Sequence, residues 1–168
     1  MKIGKTPINR AVEHIVQLCA IPSPSGFTAK VTAHLVDTFR NMGYAPTQTR
    51  KGAVLVDLGG SGEPLVLAAH VDTLGGMVRA IKSNGRLRMT KIGGFSESTL
   101  EGENCTVFTR DGRSYSGTLQ LNQPSAHVSE DVKNAKRDDT TMEVVLDEKV
   151  STQEEAAKLG IRAGDFIA

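Results

Sequence analysis

Residues 64–78 read PLVLAAHVDTLGGMV, and this stretch decides the fold. Leu65 to Ala69 is continuously apolar, which predicts a strand buried on both faces of an α/β sheet. His70 and Asp72 then fall at the C-terminal end of that strand, the edge where open α/β sheets bind ligands. A neutral imidazole is a good ligand for zinc or cobalt. Residues 70 and 72 lie on the same side of an extended chain. Asp72 can therefore ligate beside His70, or it can fix the tautomer of the ring from behind. The competing reading is a histidine hydrogen-bonded at a strand end with no metal role.

Upstream of this strand the pattern is helical. Thr6 and Pro7 suit an N-cap and a first helical position, and Ile8, Ala11, Val12, Ile15, Val16 and Cys19 follow helical spacing. IPSPSG, residues 21–26, breaks that helix. A second helix is predicted from about Thr28 to Met42, with Val31, Leu35, Val36, Phe39 and Met42 as its stripe and Gly43 just past its end. Ala53 to Leu58 reads as a strand, and GGSGE, residues 59–63, as a turn. That turn lacks the Gly-Lys-Ser/Thr ending of a phosphate loop. Residues 1–75 thus predict the opening of a layered α/β domain.

Downstream the chain turns β-rich. Met77 to Ile81 and Arg86 to Ile92 flank a hairpin turn at Asn84-Gly85. Cys105 to Arg110 and Ser114 to Leu121 flank a second at Asp111-Gly112, and Met142 to Leu146 is a further strand. Residues 76–165 therefore predict a separate, barrel-like β module, whose strand edges must be covered or paired, which makes it a candidate oligomerisation element. Ser151 and Glu154 read as a capping box opening a short helix through Lys158, with Gly160 beyond it. Residues 166–168 read as a strand start belonging again to the first domain. A parallel sheet begun before residue 75 and not resumed predicts that the chain is a piece of something longer.

Composition narrows the function. Lys plus Arg is 20 against 19 for Asp plus Glu, and a net charge of +1 gives no general attraction to nucleic acid or to anionic membrane. No apolar run is long enough to span a bilayer, and MKIGKTPINR has no apolar signal core, which predicts a cytoplasmic protein. The 2 cysteines, Cys19 and Cys105, cannot make a disulfide framework and read as buried free thiols. With no Trp, 2 Tyr and 5 Phe, a base-stacking platform is unsupported. Ser23, Ser25 and Ser125 stand in no Gly-x-Ser-x-Gly elbow. His14 and His34 fall within helices, and His127, in QPSAHVSED, reads as structural or surface.

IPSPSGFT, PLVLAAHVDTLGGMV, NGRLRMTKIGG, MEVVLDE and LGIRAGDFI, in this order, resemble family forty-two of the metallopeptidases. These are the glutamyl and deblocking aminopeptidases, some of which carry an endoglucanase label. The resemblance runs from about Ala11 to Ala168. It implies a zinc-peptidase-like α/β catalytic domain interrupted by a β-rich dimerisation domain, from which dimers build tetrahedral dodecamers. It implies that His70 ligates one of two divalent ions, zinc or cobalt, and that Asp72 orients His70. A bridging aspartate, a glutamate base, further carboxylates and a second histidine would follow after Ala168. The chain then reads as the N-terminal half of a metal-dependent aminopeptidase acting on peptides, inactive alone. Thr73 departs from the acidic residue many relatives carry there, which implies a pocket of different charge. The alternative is a non-enzymatic β-rich oligomerisation or interaction module.

Overall fold

A computed structural model describes residues 5–168. The chain divides between Thr73 and Leu74 into two units.

The first unit opens with helix α1, Lys5–Cys19, so Thr6 and Pro7 lie inside a helix already formed at Lys5. Its apolar stripe is real, but Ile8, Val12, Ile15 and Val16 are exposed. Cys19 at its end is exposed as well, contrary to the expected burial. Helix α2, Ala29–Asn41, ends as its sequence requires. Gly43 takes a φ of +90°, its N–H reaches Arg40 O at 2.9 Å, and Tyr44 N–H reaches Phe39 O at 3.0 Å. That is the paired-bond glycine cap, closed by the edge-on rings of Phe39 and Tyr44. The strand expected over Ala53 to Leu58 shrinks to β2, Val54–Leu55, paired antiparallel with β1, Thr47–Gln48.

The run LVLAA does not form the buried strand its composition predicts. Leu65, Val66 and Leu67 are 85%, 82% and 81% exposed. Residues 64–72 belong to none of the strand ladders among the described residues. A strand is buried only by neighbours on its edges and faces. Here the segment is anchored at one end, where Thr73 makes a parallel bridge to Pro24.

The second unit, Leu74–Ala168, is a closed six-stranded barrel in the order β3-β4-β7-β6-β5-β8. Its strands are β3 Gly75–Ile81, β4 Leu87–Ile92, β5 Asn104–Phe108, β6 Ser114–Leu121, β7 Met142–Leu146 and β8 Phe166–Ile167. Both hairpins fall where the sequence puts them: β3 and β4 pair antiparallel, as do β5 and β6. Alternate side chains fill the interior, among them Val78, Leu87, Val107, Leu119, Val144 and Ile167.

One expectation for this region is corrected. β8 pairs with β3 through Gly76↔Ile167 and with β5 through Val107↔Ile167. Phe166 and Ile167 are therefore the strand that closes the barrel, where the sequence division assigned 166–168 to the first domain. Closure pairs the strand edges of the module with one another.

Helix α3, Gln153–Lys158, is opened by a capping box one residue later than the sequence suggests. Thr152, not Ser151, is the N-cap, because its extended backbone lets the hydroxyl accept from Glu155 N–H at 3.2 Å. The Glu155 carboxylate accepts in return from Thr152 N–H and from Ser151 N–H. Ala156 buries this helix against the barrel core, and Tyr115 Oη donates to Leu159 O at 2.8 Å.

Candidate functional site

The loop that breaks α1 from α2 forms the floor of the site. Ser23 is fully buried and Pro24 with it. Ser23 Oγ donates to Val71 O at 3.0 Å and reaches Thr73 Oγ1 at 3.5 Å, while Thr73 N–H donates to Ser23 O at 2.9 Å. With the Pro24–Thr73 bridge, these bonds fix the backbone of residues 71–73 although no other strand pairs with it. Phe27 N–H closes the loop onto Pro24 O at 2.7 Å.

On this floor His70 and Asp72 come together as their spacing implies. His70 Nδ1 lies 3.0 Å from Asp72 Oδ1. The other carboxylate oxygen, Oδ2, accepts the hydroxyl of Ser25. The Asp72 carboxyl is held below its ordinary value, first by the Ser25 hydroxyl and then by the bond to the His70 ring, both of which favour the charged form. His70 is exposed, so its ring meets solvent rather than an apolar core.

A carboxylate bonded at Nδ1 selects the tautomer with its proton there and leaves Nε2 with a lone pair. That is the state of an imidazole ready to bind a cation, so the donor set suits one arm of a metal site. It does not make a whole one. Among the described residues no group of three or more His, Cys, Asp and Glu side chains could hold a metal ion.

His14 and His34 lie within α1 and α2, and His127 is exposed in the segment between β6 and β7. Thr73 bonds to Ser23 rather than standing as a free polar group. Ser25, whose neighbourhood reads only as a helix break, joins this candidate site, and sequence reasoning missed it. Its hydroxyl donates to a carboxylate that is held below its ordinary range and already engaged by His70, too weak a base to activate it, so it is not set up as a nucleophile. Nothing local in SPSG signals a partner so far along the chain; only the fold brings them together.

The fold is that of solved aminopeptidases. Aminopeptidase APDkam598 from the archaeon Desulfurococcus kamchatkensis matches with a TM-score of 0.79 at 30% identity, over 95% of this chain and 43% of that one. The TET1 peptidase of Pyrococcus horikoshii, which assembles into a tetrahedron or a large octahedral shell, matches with a TM-score of 0.76 at 24% identity, over 94% and 46%. In sequence, a Bacillus subtilis protein, YhfE, whose name assigns it provisionally to the aminopeptidases, is 38% identical over 97% of this chain and 48% of its own length. The chain belongs to the M42 glutamyl aminopeptidase family, whose family model matches residues 52–168. It spans about half the length of the curated relatives it matches.

Proposed function

We propose that this chain carries the His70–Asp72 arm of a metal-dependent aminopeptidase that removes N-terminal residues from peptides. The observation that carries the reading is the contact between Asp72 Oδ1 and His70 Nδ1, at 3.0 Å, in a chain of the M42 family. His70 would offer Nε2 to one of two divalent ions, zinc or cobalt. Asp72 holds the ring and its proton and adds negative charge behind it. When bound, such ions supply Lewis acidity and a hydroxide-like water at neutral pH.

One histidine is too few for a tight site, which takes three or four protein ligands. A general base would also be needed, and its absence costs about 10²- to 10⁴-fold in rate. These 168 residues alone are therefore expected to hold metal weakly and to leave peptides intact. The assembly described for the Pyrococcus horikoshii relative supports self-association, a dimer in the first instance. Free Cys19 and Cys105 accord with a reducing, cytoplasmic setting. No described helix is long and apolar enough to cross a membrane.

The test is to add zinc or cobalt to the purified chain, measure bound metal, and assay leucyl and glutamyl anilides. Weak binding that His70→Ala abolishes, without turnover, is the expected result. Two tightly held ions with metal-dependent turnover would overturn the claim that this chain lacks the remaining ligands. Metal binding indifferent to His70→Ala would overturn the role of His70.

A further inference from the structure

We propose that Ser25 is the positioning residue of this site: its hydroxyl, donated to Asp72 Oδ2, locks the carboxylate so that Oδ1 holds His70 Nδ1–H and Nε2 stays bare. The inference deepens the proposed function and rests on its reading of His70 as a ligand, but its geometry stands independently.

A carboxylate on a solvent-facing loop turns freely about its terminal torsion, which is broad and roughly two-fold. Asp72 keeps part of its side chain in water, and a single bond to an exposed imidazole would not hold it. The Ser25 hydroxyl is the second fixed point, and with both oxygens occupied the carboxylate plane is defined. The position of Ser25 is in turn imposed from below. Ser23 and Pro24, immediately before it, are fully buried and tied to residues 71–73 by the Ser23–Val71 and Thr73–Ser23 bonds and the Pro24–Thr73 bridge. The order of roles along Ser23-Pro24-Ser25 is anchor, anchor, donor. The buried pair fixes the backbone of both segments, and the exposed serine spends its hydroxyl on the carboxylate. A residue with no hydroxyl at position 25 would leave the backbone clamp intact and release only Asp72.

That separation makes the idea testable without catalysis. The chain is labelled with nitrogen-15, and the tautomer of His70 is read from its ring nitrogens by long-range NMR correlation in alkaline buffer. The expected signature is an Nδ1–H ring in the unaltered chain and a shift toward Nε2–H in Ser25→Ala. Ser25→Thr, which restores a hydroxyl, should return the Nδ1–H form, with barrel resonances unchanged throughout as the control for folding. An unaltered Ser25→Ala tautomer overturns the proposal. So does loss of the signature in Ser25→Thr as well, which assigns the effect to loop packing.

Zinc titration followed on the same His70 resonances separates this idea from the metal reading. Affinity about 10- to 100-fold weaker in Ser25→Ala, with Ser25→Thr near the starting value, supports both. The tautomer shift without any zinc response at His70 sustains the role of Ser25 and overturns the metal site.

Discussion

Glu143 is a charge almost entirely removed from water, 1% exposed on β7, and it survives there because two cations converge on it. Lys82 bonds Oε2 and Arg86 bonds Oε1, from either side of the β3–β4 turn. The placement matters because β4 and β7 share a single Cα pair, Leu87↔Val144, so the ion triad staples a seam that backbone bonding leaves thin. Replacing both cations, Lys82→Met with Arg86→Met, strands a buried carboxylate. The expected loss is about 3 kcal/mol in urea unfolding, the low end of the range for a broken buried pair, since both cations keep about a third of their side-chain surface in water. Adding Glu143→Met to that pair should recover most of the loss, because an apolar trio of similar volume needs no solvation. A triple variant no more stable than the double would show that the seam depends on the charges themselves. Cys105 offers a pH test of the same interior. Burial, with the Asp147 charge second, pushes its thiol up from 9.0 to about 11. Between those values the unfolded chain has lost a proton that the folded chain keeps. Stability should therefore fall as pH rises from about 9 to about 11, by about 2–3 kcal/mol in all. Comparing urea midpoints at pH 8 and pH 10.5 isolates the effect: Cys105→Ala starts less stable but should lack this component of the fall.

At the scale of elements, the features legible in the sequence are those whose cause is local. The Asn84-Gly85 turn is one: Gly85 sits at φ +79°, where a side chain is strained, and its hydrogen side packs close to the backbone of Thr152. A built Cβ would meet Thr152 O at 3.1 Å, so Gly85→Ala is expected to cost about 1–2 kcal/mol. Thermal unfolding of this variant checks the figure, and a change within error would show that the hairpin tip moves freely away from α3. The cap of α2 and the β5–β6 hairpin were readable for the same reason, since turn chemistry and period are written in adjacent residues. The capping box of α3 was misplaced by one residue because Ser151 and Thr152 both carry hydroxyls, and only the backbone angle of Thr152 decides between them. LVLAA failed for a non-local reason. Its composition specifies a strand with neighbours, and no neighbour pairs with it among the described residues. The pairing of His70 with Asp72 was legible from a spacing of two, whereas Ser25 was not, because its link to Asp72 spans 47 residues.

Across the whole molecule the two units differ in what holds them. Among the described residues before Leu74, Val31 is the one buried aliphatic side chain, with Ser23, Pro24 and Thr32 beside it in burial class. The apolar stripe of α1 and the 65–67 run face water. The barrel, by contrast, has a contiguous interior from Val78 to Ile167 and a ladder of backbone bonds that closes on itself. Opening free energy follows buried apolar contact and protected backbone bonding, so the units should not share one stability. Native-state hydrogen exchange should find the slowest amides in β3 to β8. Exchange in α1, α2 and residues 64–73 should be faster by orders of magnitude, since each 1.4 kcal/mol of difference is about tenfold. Limited proteolysis should trim the chain from its N-terminal side and leave a resistant core beginning near Leu74, readable by mass. Val12→Glu or Ile15→Lys in α1 should leave the unfolding free energy of the barrel in urea within about 0.5 kcal/mol, as for other exposed positions, while improving solubility. Equal protection in both units, or a barrel midpoint that moves with Val12→Glu, would show that the helical stripe is covered in solution. A second copy of the chain would then be the first candidate for what covers it, and the protection of α1 would rise with concentration.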